Sequence, residues 1–155
     1  MELDTYDRQL LNLVQVDAGR TADELAGQVG LSASAIQRRL RRLRDEGVIQ
    51  RDIAVVAPDL VGKPTFFVVA LAVERERPEM LQALRKWLAE QAQIQQAYYI
   101  TGEADFTLIV MAPDTEAFDQ FMTRLMAENR NVKRFTTSVV LSLVKRELAI
   151  PLPER

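Results

Sequence analysis

The sequence predicts an α+β chain: a three-helix head over residues 1–50, a strand and linker over 51–65, a βαββαβ ferredoxin-like domain over 66–148, and a short tail over 149–155. Three observations predict it. Apolar residues recur at helical spacing through the first fifty positions, with capping residues at the right places. Beyond residue 65, apolar runs of strand length alternate with helix-period segments. Between the two lies DLVGKP (59–64), whose Gly62 and Pro64 interrupt both periods.

The first helix is expected over about residues 4–17, with Leu10, Leu11, Leu13 and Val14 turned inward. The second starts near Thr21 or Ala22, because Thr21 and Glu24 have the spacing of a capping box. Leu25, Ala26 and Val29 give it a buried face, Gly30 ends it, and Leu31 re-enters the core. Ser32 is a good N-cap for the third, since its hydroxyl can accept an amide hydrogen of the first turn. Ile36, Leu40 and Leu43 form the buried stripe, and Gly47 suits the stop.

That third helix carries Arg38, Arg39, Arg41, Arg42 and Arg44, with no acid until Asp45. At about 100° per residue, Ser34, Gln37, Arg38, Arg41, Arg42 and Asp45 lie away from the leucine stripe, with Arg39 and Arg44 at its edge. A solvated surface would carry the same charges. The capped helix before it, the Gly-Leu-Ser turn and the apolar register instead point to a winged-type helix-turn-helix, which sets one helix into a DNA groove. No long basic wing follows.

IAVVAP (53–58) is expected as a short strand closed by Pro58. FFVVALAV (66–73) is a continuous apolar run, the pattern of a strand covered on both faces. Pro78 opens a helix lined by Leu81, Leu84 and Leu88, with Met80 and Trp87 alongside. IQQAYYIT (94–101) is the second strand, GEAD (102–105) a turn, and FTLIVMA (106–112) the third strand. Pro113 and Asp114 start a helix striped by Phe118, Phe121, Met122 and Leu125, which ends at Asn129 to Asn131. RFTTSVVLSLV (134–144) is the fourth strand. This order predicts an antiparallel sheet with both helices on one side. The other side would be an exposed apolar patch, so a two-fold dimer through that face is expected.

The chain has 155 residues, a net charge of −2, no Cys and no His. Thiolate chemistry, disulfides and Cys or His metal sites are excluded, and the commonest general base is missing. Residues 1–62 carry eight basic and ten acidic side chains, and residues 63–155 twelve of each. Phosphate affinity must therefore come from local concentration on one face. No apolar run approaches a membrane span, and the charged start MELDTYDRQ is unlike a signal peptide.

Over about residues 2–148 the chain resembles the Lrp/AsnC family of leucine-responsive and feast/famine regulators. In the head the resemblance rests on Leu3, Asp4, Asp7, Leu10 and Leu11, on Leu25, on Gly30-Leu31-Ser32, on Arg39-Leu40 and Leu43, and on Gly47-Val48-Ile49. In the second half it rests on YITGEADF (99–106) and TSVVL (137–141). It implies a DNA-binding transcription regulator of prokaryotic, cytoplasmic, nucleoid-associated type, not an enzyme. Its C-terminal domain would be ACT-like (RAM), and its dimers would assemble into octamers or open spirals. It implies no cofactor and no metal, but an amino-acid effector held between dimers, near the turn joining the second and third strands.

Carried over by position, the resemblance makes Ser32, Ser34, Gln37, Arg38, Arg39, Arg41 and Arg42 the residues facing double-stranded operator DNA. Arg38, Arg41 or Gln37 would lie nearest bases, and Arg39 and Arg42 nearer phosphate. Ala33 and Ala35 stand where relatives often carry proline. The implied effector site comprises Tyr99, Thr101, Gly102, Glu103, Ala104, Asp105, Thr136, Thr137 and Ser138. Backbone amides of a glycine turn can hold a carboxylate, and an acid such as Asp105 an ammonium group. The family turn often reads G-D-x-D; here Glu103 lengthens the first acidic arm. Two other readings fit parts of the chain: a ligand-independent architectural DNA binder, and a small enzyme using Glu103 and Asp105 as an acidic pair.

Overall fold

The computed structural model describes residues 2–74 and 77–153. In order these form α1 (Thr5–Val14), α2 (Ala22–Val29), α3 (Ala33–Asp45), a 3-10 turn (Pro58–Leu60), β1 (Thr65–Val73), α4 (Pro78–Glu90), β2 (Ile94–Tyr99), β3 (Phe106–Ala112), α5 (Thr115–Glu128) and β4 (Val132–Val139). Two compact units result. One is the head, residues up to 55 together with those from 145 onward; the other is the sheet domain, residues 56–144. The described part of the tail thus belongs with the head. Among the described residues no helix is long and apolar enough to cross a membrane.

The head is built on caps and one shared core. Asp4 caps α1 by accepting the Asp7 N–H at 2.8 Å, and the Asp7 side chain accepts the Asp4 N–H in return. Thr21 and Glu24 form the expected box on α2, which closes on Gly30 at φ 76. Ser32 caps α3 through the Ala35 N–H, and Gly47 (φ 72) follows its end, where a left-handed backbone is required. Leu10, Leu11, Val14, Leu25, Val29, Ile36, Leu40 and Leu43 form a single buried cluster.

Charge adds to that core. The Asp7 side chain is only 1% exposed, and both its oxygens are taken by α3. Arg39 Nη1 donates to Asp7 Oδ1 at 2.8 Å and to Asp4 Oδ2 at 2.7 Å, while Arg42 Nη2 donates to Asp7 Oδ2 at 2.5 Å. The Arg39 guanidinium also lies 5.5 Å from the centre of the Tyr6 ring.

In the sheet domain the strand order is β2-β3-β1-β4, antiparallel throughout. Phe67, Val69 and Leu71 of β1 lie opposite Val110, Leu108 and Phe106 of β3. All six are buried with Leu81, Leu84 and Leu88 of α4 and with Phe118, Phe121, Met122 and Leu125 of α5. The Phe67 and Phe118 rings stack at 3.8 Å. Alternate positions, Val68 and Ala70 of β1 with Thr107, Ile109 and Met111 of β3, fall on the opposite face and are half-buried. The continuous apolar run therefore does not mean two covered faces within one chain: helices pack on one side only.

Three strand expectations are corrected. Residues 53–57 form no strand, because none of the four sheet strands pairs with them; Pro58 instead opens the 3-10 turn. β2 stops at Tyr99, since the Ile100 N–H already donates to the Asp105 carbonyl and Gly102 (φ 127) turns the chain back. β4 runs from 132 to 139 and not to 144: Val139 pairs with Phe67 and the Val140 N–H reaches the Phe66 carbonyl, after which β1 offers no further partner.

Asp105 fastens the β2–β3 turn to β1. Its N–H donates to the Leu71 carbonyl at 2.8 Å, and its carboxylate accepts the Val73 N–H at 2.7 Å, where the β1–β4 register shifts. The acid expected to hold an ammonium group thus also has a structural contact: one of its two carboxylate oxygens accepts the Val73 N–H.

Two tests follow from these contacts. The Asp7 N–H, and then the Arg39 guanidinium, hold the Asp4 carboxyl below its ordinary range. Its contribution is therefore complete above the unfolded-state value and is lost as pH falls through the lowered one. Asn keeps the cap but cannot titrate, so Asp4→Asn flattens the acid-side fall of the melting temperature between roughly pH 5 and pH 2; an unchanged slope contradicts the assignment. Asp105→Ala strips the Val73 N–H of its acceptor and costs about 1–3 kcal/mol in urea unfolding, whereas a change within about 0.5 kcal/mol would mark an ordinary surface position.

Candidate functional site

The α3 surface divides into two. Ile36, Leu40 and Leu43 are buried, and Arg39 and Arg42 are drawn toward α1 by Asp4 and Asp7. Arg39 keeps 20% of its side chain exposed and Arg42 42%. The Arg39 guanidinium is held more firmly charged still, first by Asp4 and then by Asp7. The expectation that both arginines face phosphate is corrected for Arg39, whose charge is neutralised within the head. Arg42 is shared between Asp7 and solvent.

On the far side, Ser32, Ser34, Gln37, Arg38 and Arg41 are all exposed. Ser32 Oγ caps α3 and lies 3.1 Å from Ser34 Oγ. Among the described residues, Arg38 and Arg41 show no hydrogen bond or ion pair. Arg44, at the edge of the stripe, reaches Asp52 at 3.1 Å and steadies the segment leaving the helix. Two unneutralised guanidiniums three residues apart, flanked by a glutamine and two hydroxyls, can donate to base edges or phosphates.

The residues expected to hold an effector are separated by the pleat. Thr136 lies opposite Ala70, and Ser138 opposite Val68, both on the open face. Thr137 is opposite Val69, and Tyr99 opposite Phe106, on the helix side. The Tyr99 ring packs 5.0 Å from the Phe106 ring and 4.7 Å from the Arg85 guanidinium. Tyr99 and Thr137 therefore do not meet Thr136 and Ser138. Thr101 and Gly102 stay in the exposed turn.

Glu103, Ala104 and Thr136 do converge. With Ala70, Ala72, Arg134 and Phe135 they line a concavity of about 110 Å³ on the sheet domain. Arg134 is the residue that sequence reasoning missed. It lies opposite Ala72 in the β1–β4 ladder. The available signal was the pair of small residues, Ala70 and Ala72, at alternate positions of a strand otherwise rich in large side chains. An acid, a guanidinium and a hydroxyl around one hollow can take a small molecule carrying both an ammonium and a carboxylate.

Comparison with known proteins finds relatives for both parts of the chain. Residues 67–150 match the family model described as Lrp/AsnC ligand binding domain, and residues 3–50 the model described as winged helix-turn-helix DNA-binding. An HTH-type transcriptional regulator of Sinorhizobium fredii is 43% identical over 152 residues, covering 98% of this chain and 90% of that protein. The crystal structure of an AsnC family transcriptional regulator from Agrobacterium tumefaciens superposes with a TM-score of 0.87 at 26% identity, covering 96% of each chain. A transcriptional regulator of Neisseria meningitidis, solved as a complex with L-Met, gives 0.85 at 25% identity, covering 97% of each chain. With its two-helix reading unit ahead of a βαββαβ sheet domain, this chain belongs to the Lrp/AsnC family of transcription regulators.

Proposed function

We propose that the protein is a homo-oligomeric, sequence-specific DNA-binding regulator that reads its operator with the outer face of α3 and answers to a small amino acid held on the sheet domain. The observation that carries the first half is the division of the arginines. Arg38 and Arg41 stay exposed and unneutralised, while Arg39 is held against Asp4 and Asp7. A helix that was only a solvated surface would not need its neighbouring arginines sorted in this way. Gln37, Arg38 and Arg41 stand nearest the bases in this reading, with Ser32, Ser34 and Arg42 along the phosphates. The protein works in the cytoplasm as no enzyme.

The second half rests on the concavity at Glu103, Arg134 and Thr136. Glu103 receives the ammonium group, Arg134 the carboxylate, and Thr136 either. The remainder of the ligand projects over the open face formed by Val68, Ala70, Ile109 and Met111. A second copy placed on that apolar face removes it from water and closes over the ligand. Effector binding is then linked to assembly, dimer or octamer, which sets the spacing of heads on DNA. Solved relatives in complex with L-Met or L-methionine support an amino acid as the ligand class.

Duplexes selected by the protein from a random-sequence pool supply the DNA for a direct test. Arg38→Ala and Arg41→Ala each weaken binding by about 1–3 kcal/mol with the melting temperature unchanged. Arg39→Ala instead costs about 1.5–3 kcal/mol of stability. Equal DNA affinity for Arg41→Ala and the parent removes the reading of α3. For the ligand, a thermal-shift screen against the twenty amino acids yields at least one that raises the melting point in proportion to its binding. That shift disappears in Arg134→Ala; no shift with any of the twenty removes the effector.

A further inference from the structure

α1 carries two side chains that neither the core nor the DNA face uses. Asn12 and Gln15 lie three positions apart, hence on one side of the helix. Each is bonded twice to an extended segment near the end of the chain. Asn12 Nδ2 donates to the Leu152 carbonyl at 2.9 Å, and Asn12 Oδ1 accepts the Leu152 N–H at 3.0 Å. Gln15 Nε2 donates to the Ile150 carbonyl at 2.8 Å, and Gln15 Oε1 accepts the Ile150 N–H at 2.8 Å. Ile150 and Leu152 are alternate residues, the pair whose N–H and C=O groups point to one side of an extended chain. Two primary amides, each with a donor and an acceptor, reproduce the edge of a neighbouring strand. Pro151 between them has no N–H to satisfy, and its fixed φ favours the extended form. The Leu152 side chain packs against the cluster of Leu10, Leu25, Ile36 and Leu43.

We propose that Asn12 and Gln15 form a peptide-binding clamp on the head, specific for an extended apolar-Pro-Leu segment, and that its occupant is the chain's own Ile150–Leu152. The amides read the main chain, which gives affinity without sequence preference. Leu152 in the core and Pro151 in the gap supply the preference. The occupied clamp positions α1, whose Asp4 and Asp7 hold Arg39 and Arg42 and so set how α3 presents Arg38 and Arg41. The chain leaves β4 at Val139, five residues after Arg134, and belongs to the head again from residue 145, ahead of the occupant. The head and sheet domain are therefore connected along two stretches of chain, one before β1 and one after β4. This goes beyond the reading of α3 and of the concavity, since the clamp needs neither DNA nor ligand to be occupied.

Amide hydrogen exchange on the full-length protein tests it. Pro151 and Pro153 have no amide hydrogen, so the Ile150 and Leu152 amides report on the clamp alone. Both exchange slowly in the parent protein and at least about tenfold faster in the double variant Asn12→Ala, Gln15→Ala, with the β1–β3 amides unchanged. Leu152→Asp keeps both clamp residues and gives the same acceleration at Ile150, so a failure of the double variant to fold leaves the test standing. Both variants lower affinity for selected duplex at least about threefold with Arg38 and Arg41 intact, and a synthetic ELAIPLP peptide restores it for Leu152→Asp but not for the double variant. Open-chain exchange at Ile150 and Leu152 in the parent overturns the clamp. Protection that rises with protein concentration overturns the assignment of the chain's own segment as occupant. Unchanged duplex affinity in both variants overturns the positioning of α1.

Discussion

Asp7 is the residue on which the head turns. A carboxylate taken out of water must be paired and hydrogen-bonded or it destabilises the fold by several kcal/mol. At 1% exposure Asp7 meets that demand with two arginines of α3, one per oxygen, while its N–H completes the cap made by Asp4. A helix with five arginines in seven residues would otherwise be a rod of like charges. Arg39 and Arg42 are held by carboxylates on one side, and Arg38 and Arg41 carry exposed charge on the other. Anchoring and, in the proposed function, recognition thus come from the same cluster, divided by the geometry of the helix.

The sheet domain meets a different constraint. Four strands with two helices on one side bury Phe67, Val69, Leu71 and their partners, and leave Val68, Ala70, Ile109 and Met111 facing away from the helices. The domain is thus stable on one side and apolar on the other. The hollow at Glu103, Arg134 and Thr136 opens near this face, where Ala70 and Ala72 are too small to fill the space beside β4. In the proposed function a ligand there and a second copy of the chain would draw on the same surface, which is the physical ground for proposing that ligand and assembly are linked.

Local features were read correctly from the sequence because local chemistry determines them. Thr21 with Glu24, Ser32, Gly30 and Gly47 cap their helices by contacts within a few residues, and the stripes of α3, α4 and α5 follow from period alone. What was missed depends on partners distant in sequence. Asp4 and Asp7 lie more than thirty residues from Arg39 and Arg42, so helical period set Arg39 at the edge of the stripe but did not show the carboxylates that hold it and Arg42. Residues 53–57 had the composition of a strand but no neighbour to pair with. The resemblance sets Tyr99 and Thr137 with Thr136 and Ser138, and within one chain the pleat puts the two pairs on opposite faces. Arg134 became visible only through its register with Ala72, and the amides of Asn12 and Gln15 only through a tail some 135–140 residues away.

Arginine-selective modification by phenylglyoxal, read by mass spectrometry with and without selected duplex, tests the division of α3 most directly. In the free protein Arg38 and Arg41 react fast and Arg39 slowly; bound duplex protects Arg38 and Arg41 and leaves the rate at Arg39 as it was. Equal reactivity of all three in the free protein, or protection by DNA that falls on Arg39 and spares Arg41, would contradict the account.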